Sequence, residues 1–447
     1  MPHYLDLFAN ELRSKRARLR QTLLATEVTQ VDQYLREAFQ KEWRDLPPPI
    51  HKDFRVIAVD SGRAHQEYAL GAVLYVCRAI AISSWGKSYR AVVSDSHVIV
   101  SPREQLSNLV SLRSEHVEHQ VALEALKDAK DVDAVLLDGS LYGRVLHVPV
   151  CFDYPGETAL YLKYVETLSQ LFDECRRRKI LLLGVSKDSL AAHLTRLLLN
   201  DITKRILEAL SHHLSPEHMT LLHQNLADQR QESSQAMRLV ADLPLTENQR
   251  ETLRSLVTEI RHPRPDFALI FPWAKTAGYT TPIEPYPGVP FYKYRAKDLR
   301  AYVQRRFDDA LADYHGREQE FETWAYDVLQ KPFHFPAIVT LCIKLAHNDT
   351  PLRLDVPAYN VGLPTTLSEL SQSQRLDPPP ARVEDILRFL RTGYGGPDLY
   401  NVWLVHADQE ARLPESDFTT LYEPLVEKEL KLPLVPTRRN RRARYAR

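Results

Sequence analysis

Two aspartates each end an apolar run and precede small, turn-forming residues: Asp60 in FRVIAVDSG and Asp138 in DAVLLDGSL. Such runs predict buried strands, with a carboxylate at each C-terminal end. If the strands are parallel neighbours, both carboxylates lie at the sheet edge where open α/β sheets bind ligands. Oxygen ligands there suit Mg²⁺ or Mn²⁺ and phosphodiester hydrolysis. Aspartate before glycine or serine is also a common turn former, so the spacing alone leaves both interpretations open.

The segments between the two aspartates supply the elements that must position them. ALGAVLYVCRAIAIS and YRAVVSDSHVIV predict strands too closely spaced for intervening helices, hence an antiparallel meander. Ser101, Pro102 and Glu104 mark the start of a helix that we expect to reach about Lys127. This order of elements is that of an RNase H-like sheet, so the predicted fold class is α/β, with a mixed sheet, flanking helices and an inserted helical subdomain.

The remaining patterns give the predicted organisation. Helices are expected at 4–45, 157–177, 188–210 and 383–391, and strands at KILLLGVSK and FALIF, while PAIVTLCIKLA and PLRLDVP form a hairpin. The predicted segments are a long N-terminal helix in 1–46, the first part of the core at 54–211, a helical insert at 212–263, the second part of the core at 264–436, and a basic tail at 437–447.

The helix between the two strands offers a third acid. Glu115, Glu118 and Glu124 are all available, and the sequence alone leaves the choice open. We favour Glu118, because Val121, Ala122 and Ala125 lie at helical spacing from it and indicate the face packed on the sheet. Glu124 is the rival, and the ordinary alternative for each glutamate is an exposed helix charge.

Composition narrows the classes of protein. The 58 basic and 58 acidic side chains balance, so any nucleic-acid site must be local. The four cysteines have no metal-binding or disulfide spacing, and no run approaches the roughly 18 apolar residues of a membrane span. We therefore expect a cytoplasmic protein with no membrane contact. The sequence contains no GxxxxGK[ST] phosphate loop, so we expect any ATP-driven motor to be a partner.

Four motifs resemble those of the NurA family of nucleases: VIAVDSG with Asp60, LLDGSL with Asp138, GVSKDS with Lys187, and LYNVWLVHAD with Tyr400 and His406. Each motif alone is generic, and their order along the chain carries the resemblance. It implies an RNase H-like, Mn²⁺-dependent (or Mg²⁺-dependent) deoxyribonuclease that acts as a 5′–3′ exonuclease and single-strand endonuclease. It also implies a homodimer that processes DNA ends in recombinational repair with a HerA-type hexameric ATPase.

The resemblance also implies roles for the later residues. His406 would be a metal ligand or activate water, and Tyr400 would contact the phosphate or a base, although both residue types are common in protein cores. Lys187 would hold a phosphate, or be an ordinary surface lysine. The predicted catalytic set is therefore Asp60, Glu118, Asp138, Tyr400 and His406, of which all except Tyr400 are predicted metal ligands.

The last ten residues contain six arginines, too much like charge to fold alone. They form either a solvated tail or a contact with DNA phosphates, for which we name Arg438, Arg439, Arg441 and Arg442. Two other functions remain open from sequence: a catalytically silent RNase H-like binding or scaffold module, and an RNase H-like nuclease for another substrate class. The presence of both Asp60 and Asp138 favours an enzyme.

Overall fold

A computed structural model of the protein describes residues 4–24, 29–99, 103–227, 233–287, 299–438 and 441. The chain divides into two compact units. The helical unit contains Met1–Trp43 and Ser189–Lys275, and the sheet unit contains Arg44–Asp188 and Thr276–Arg447. The helical unit includes more of the chain than the insert that the sequence predicts at 212–263. No helix within the described ranges is both long and apolar enough to cross a membrane.

The sheet begins with five strands: β1 Val56–Glu67, β2 Ala72–Ser83, β3 Ser88–Val98, β4 Ala134–Asp138 and β5 Leu181–Ser186. Their spatial order is β3-β2-β1-β4-β5. The pairs β1/β2 and β2/β3 are antiparallel, whereas β4 is parallel to both β1 and β5. This is the predicted RNase H-like arrangement, and the fold class is confirmed.

Later segments extend the sheet beyond β5 with β6 Gly278–Thr280, β7 Ile283–Glu284, β8 Ile338–Lys344, β9 Leu352–Pro357 and β10 Gln374–Arg375. Strand β9 pairs antiparallel with β5, and β8 pairs antiparallel with β9 as the predicted hairpin. Strands β6 and β7 both pair with β8, and β10 pairs with β7. A two-residue strand, Trp43–Arg44, lies where the helical unit ends and the sheet unit begins.

The α-helices fall in both units. In chain order they are α1 Tyr4–Ser14, α2 Arg16–Leu24, α3 Gln30–Glu42, α4 Arg103–Asp128, α5 Leu141–Val145, α6 Leu160–Arg178, α7 His193–Leu210, α8 Pro216–Ala227, α9 Ser233–Asp242, α10 Glu247–Arg261, α11 Asp266–Trp273, α12 Leu299–Arg306, α13 Asp308–Asp313, α14 Glu318–Gln330, α15 Ala381–Thr392, α16 Val402–Ala411, α17 Glu415–Asp417 and α18 Glu423–Leu430. Single 3₁₀ turns cover Lys331–His334, Ala358–Val361, Leu367–Glu369 and Pro397–Leu399, and a π turn covers Phe418–Tyr422.

Two apolar layers cover the faces of the sheet. On β1, Ile57 and Val59 pack in a core with residues of α4 and α6, such as Val121. Their neighbours Val56 and Ala58 pack on the opposite face with residues of α15 and α16, such as Leu404. Successive side chains of a strand point to opposite faces of the sheet. Because helices cover both faces, β1 is apolar at every one of these positions.

Two local predictions were wrong. The apolar pattern over 4–45 predicts one helix, but the described residues of this range form α1, α2 and α3, and Thr29 starts α3 with its own capping box. The Thr29 hydroxyl accepts from Asp32 N at 3.1 Å, and Asp32 Oδ2 accepts from Thr29 N at 2.7 Å. FALIF predicts a strand but lies in α11, since a short apolar run does not distinguish a strand from a buried helix. Ser101 and Pro102, the predicted helix start, lie outside the described residues.

Candidate metal centre

Three aspartates converge at one edge of the sheet. Asp60, Asp138 and Asp408 each contribute a carboxylate oxygen atom, and these atoms all lie within 4.8 Å of one another. Asp60 and Asp138 follow neighbouring parallel residues, because Val59 of β1 pairs with Leu137 of β4. Asp408 comes from α16. All three side chains are partly exposed, so a ligand can reach them.

The sequence predicts that Asp60 ends its strand. Instead, Asp60 lies within β1, at the point where β1 separates from β4. Beyond it, β1 continues to Glu67, paired only with β2. Gly62 lets α16 approach this point, because a Cβ there would collide with the backbone carbonyl of Ala411. The DSG motif therefore lies within a continuous strand rather than a turn, and its glycine admits the helix that carries Asp408.

The carboxyl group of Asp60 has few partners for its charge. Burial, together with the nearby carboxylates of Asp138, Glu118 and Asp408, raises its pKa to about 8, although the hydrogen bond from Ser61 N lowers it. That bond, to Oδ1, is 2.7 Å long. Like charges held this close favour either a proton or a bound cation.

Lys187 and Tyr400 both contact Asp138. Lys187 Nζ lies 2.8 Å from Asp138 Oδ2 and 4.0 Å from Asp408 Oδ1. The hydroxyl of Tyr400 donates to the same Asp138 oxygen at 3.3 Å, and Lys187 Nζ lies 5.0 Å from the Tyr400 ring centroid. Although burial alone would lower the pKa of Lys187, Asp138 raises it well above its usual value. Burial and Asp138 together raise the pKa of Tyr400.

Of the three candidate acids on α4, Glu118 is the one whose charge acts on Asp60 and whose side chain bonds to Ser61, the residue after it. Its side chain is buried, and it accepts hydrogen bonds from the Ser61 hydroxyl and the Arg144 guanidinium. Burial raises the pKa of Glu118, and the charge of Arg144 opposes that rise. Glu124 is exposed. Glu118 therefore reaches the site through Ser61, the residue after Asp60.

Glu115 belongs to a different hydrogen-bonded group. Its Oε2 accepts from the Tyr164 hydroxyl and lies close to His147 Nε2, each at 2.9 Å. Burial would raise its pKa, but His147 and Arg144 lower it to about 2. Together with Asp60, Asp138 and Glu118, it lines an open cleft of about 390 Å³.

A second group of potential ligands, Asp95, His97 and Glu157, also has ligand atoms within 4.8 Å of one another. Here both oxygen atoms of Glu157 already accept hydrogen bonds, one from the Tyr75 hydroxyl and one from the Arg113 guanidinium. Both oxygen atoms of the buried Glu157 carboxylate are therefore already satisfied by donors within the protein.

A family model described as the NurA domain matches residues 54–413. The chain belongs to the NurA family. This confirms the resemblance that its motifs indicate. No match was found among curated proteins.

Solved NurA structures cover nearly the whole chain. The NurA nuclease from Sulfolobus solfataricus is 14% identical and matches with a TM-score of 0.50, covering 94% of this chain and 97% of that one. A structure of NurA bound to dAMP and manganese is 15% identical, with a TM-score of 0.44 and coverages of 93% and 97%. The likeness to the Sulfolobus protein shows a shared fold.

In this NurA-family chain, the structure does not bring His406 to the aspartates. Its side chain is exposed and lines a separate cleft of about 380 Å³ with Ser83, Arg90 and Trp403. Residues two apart on an α-helix point about 200° apart. Since Asp408 lies at the carboxylate cluster, His406 lies on another side of α16.

Sequence reasoning missed Asp408. The signal was available, because Leu404, Ala407 and Ala411 are apolar at helical spacing and form the buried face of α16. Asp408 borders that face and His406 does not. Of the tail arginines, Arg438 and Arg441 are exposed, whereas Arg439 and Arg442 lie outside the described residues.

Proposed function

We propose that this NurA-family protein is a divalent-metal-dependent nuclease that hydrolyses phosphodiester bonds in DNA. The observation that carries the proposal is the convergence of Asp60, Asp138 and Asp408 within 4.8 Å at an open sheet edge. Hard cations such as Mn²⁺ and Mg²⁺ prefer such all-oxygen ligand sets and retain positions for water and phosphate. The raised pKa of Asp60 supports the same conclusion, because a cation relieves the repulsion among these carboxylates.

In this proposal the three aspartates hold the cation. When bound, it supplies positive charge at the scissile phosphate and lowers the pKa of a coordinated water. Lys187, 4.0 Å from Asp408 and hydrogen-bonded to Asp138, provides a second positive charge for a phosphate oxygen. Tyr400 offers a hydroxyl donor beside it. Glu118 orients Ser61 and Arg144 around the site, and we assign it a supporting role rather than that of a ligand.

Assigning Asp408 as a ligand in place of His406, and giving Glu118 a supporting role, changes the predicted four-residue metal set but not the predicted chemistry. A carboxylate from Asp408 supplies a third oxygen ligand of the kind that both Mg²⁺ and Mn²⁺ accept. A silent binding module is less well supported, because such a module has no use for three mutually repelling acids at an accessible edge.

Family membership supports the finer proposals. We propose 5′–3′ exonuclease and single-strand endonuclease activity on DNA ends during recombinational repair, in a cytoplasmic homodimer that works with a HerA-type hexameric ATPase. Exposed apolar side chains are candidate contacts for these partners. They include Leu5 and Phe8 of α1, and Leu425 and Leu432 at and after α18.

The test uses purified full-length protein with end-labelled single- and double-stranded DNA in Mn²⁺, in Mg²⁺ or in chelator. We expect cleavage only with metal, and none from Asp138→Asn, which removes a charged ligand with little change in volume. Circular dichroism and thermal unfolding check that the variant is folded. Cleavage by the wild type in chelator, or full activity of Asp138→Asn, would overturn the proposed site. Product sequencing gives the polarity.

A further inference from the structure

Asp355 is a fully buried carboxylate on β9 that lies outside the carboxylate cluster. Two donors reach it from the sheet: Thr340 Oγ1 at 2.8 Å, and Arg353, whose Nε is 2.9 Å from Oδ1. Two more reach its Oδ2 from the segment after Asp138, namely Ser140 Oγ at 2.7 Å and Tyr142 N at 3.0 Å. Asp355 therefore joins strands β8 and β9 to the segment that follows the candidate metal ligand.

That segment lies against the sheet at one particular place. Gly139, with a φ of +101°, donates its N–H to the carbonyl of Val185 at 2.8 Å. A Cβ on Gly184 would lie 2.7 Å from Leu141 N and 2.9 Å from the Gly139 carbonyl oxygen. Gly184 is also the β5 residue paired with Asp355. The turn therefore packs on β5 at Gly184. Asp355, on the neighbouring strand β9, accepts hydrogen bonds from it.

The turn connects two groups of the site. At its start is Asp138, and after it α5 carries Arg144, whose guanidinium donates to the Asp138 carbonyl at 2.9 Å and also to Glu118. Ser140 caps α5 by accepting from Gly143 N at 2.8 Å. Any shift of this turn moves the Asp138 carboxylate and the Arg144 guanidinium together.

We propose that Asp355 is a positioning residue that fixes the Asp138–Arg144 turn, so that the Asp138 carboxylate stays within reach of Asp60 and Asp408. The inference rests on the proposed metal site. Its physical basis is that a buried carboxylate needs hydrogen-bond donors, and two of those available to Asp355 belong to this turn. Groups that orient metal ligands in this way change metal affinity without touching the metal.

Two hydroxyl deletions provide a matched test, because each removes one donor to Asp355. Ser140→Ala removes the donor on the turn together with the cap of α5, and Thr340→Val removes the donor on β8. We measure Mn²⁺ affinity without DNA by isothermal titration calorimetry, amide hydrogen exchange over residues 138–146, and thermal unfolding. Ser140→Ala should weaken Mn²⁺ binding about tenfold and speed that exchange, as should Asp355→Asn. Thr340→Val should keep wild-type Mn²⁺ affinity and exchange in the turn while lowering the melting temperature.

Equal effects of Ser140→Ala and Thr340→Val on Mn²⁺ affinity would reduce Asp355 to a general stabiliser of the core and overturn the proposal. If Asp355→Asn does not fold, the two hydroxyl variants still decide. If the wild type binds no Mn²⁺ and cleaves no DNA, the proposed function fails separately, and hydrogen exchange decides alone. In that case, unchanged exchange over 138–146 in Ser140→Ala overturns the positioning role, and faster exchange in both Ser140→Ala and Asp355→Asn supports it, because Asp355→Asn keeps the Ser140 cap of α5.

Discussion

Lys187 Nζ lies 2.8 Å from Asp138 Oδ2, so one of the three converging carboxylates already has a cation beside it. This ion pair has two consequences for a metal centre. Lys187 competes with a metal ion for Asp138, and it is also a positive charge available to a phosphate group. Binding of the metal and cleavage of DNA should therefore respond in opposite directions when Lys187 is neutralised.

Lys187→Met should bind Mn²⁺ more tightly than the wild type but cleave DNA at least about tenfold more slowly, since a phosphate oxygen loses its charged donor. Titration calorimetry gives the affinity, and single-turnover cleavage at saturating Mn²⁺ gives the rate. Lys187→Arg is the control, since it keeps the charge. Unchanged cleavage by Lys187→Met would show that Lys187 does not act on the phosphate and only pairs with Asp138 in the metal-free protein.

The next prediction separates two residues of α16. Asp408→Asn should lose metal-dependent cleavage by at least about a hundredfold, because it removes a charged ligand. His406→Ala should retain cleavage within a few-fold, since His406 is exposed in a separate cleft. The two changes share one helix, so an effect on α16 itself would appear in both. Loss of cleavage in His406→Ala, with Asp408→Asn active, would restore the ligand set that the sequence predicts.

The residues of the site differ in how far the sequence predicts their positions. The strand order and the meeting of Asp60 with Asp138 follow from local apolar runs, because these runs form neighbouring parallel strands in which Val59 pairs with Leu137. The choice between His406 and Asp408 depends on the rotation of α16, which its packing against β1 at Gly62 determines. The Glu118–Arg144 pair depends on the path of the turn after Asp138. Asp355 contacts Ser140 from 215 positions away, beyond the reach of any local pattern.

Glu118→Gln should destabilise the protein by roughly 3–5 kcal/mol, because it removes the buried carboxylate that pairs with the Arg144 guanidinium. Cleavage should fall as well, since Arg144 also binds the Asp138 carbonyl. Glu124→Gln is the control on the same helix; as an exposed change it should alter stability by no more than about 0.5 kcal/mol. Urea unfolding and cleavage assays measure both quantities. An inactive Glu124→Gln would show that the helix acid was assigned incorrectly.

Removing residues 438–447 should weaken DNA binding most at low salt, because six arginines act through counterion release. Fluorescence anisotropy across a salt series should show a shallower dependence of affinity on salt, while the cleavage rate at saturating DNA stays unchanged. A full-length chain with those arginines replaced by lysine should bind as the wild type does. Identical salt dependence for the truncated and full-length chains would assign the tail to another partner.

The last prediction concerns Asp60, whose pKa rises from 3.8 to about 8 on folding. Between these values the folded, metal-free protein holds a proton that the unfolded chain releases, so the free energy of unfolding should fall as pH rises from about 4 to about 8. Urea unfolding in chelator measures this decline, which should be smaller in Asp60→Asn.

Because Mn²⁺ must displace the same proton, its affinity should increase about tenfold per pH unit up to about pH 8. Calorimetry in buffers of different ionisation enthalpy should detect the released proton near pH 7, and Mn²⁺ binding without proton release would show that Asp60 is already ionised in the folded protein.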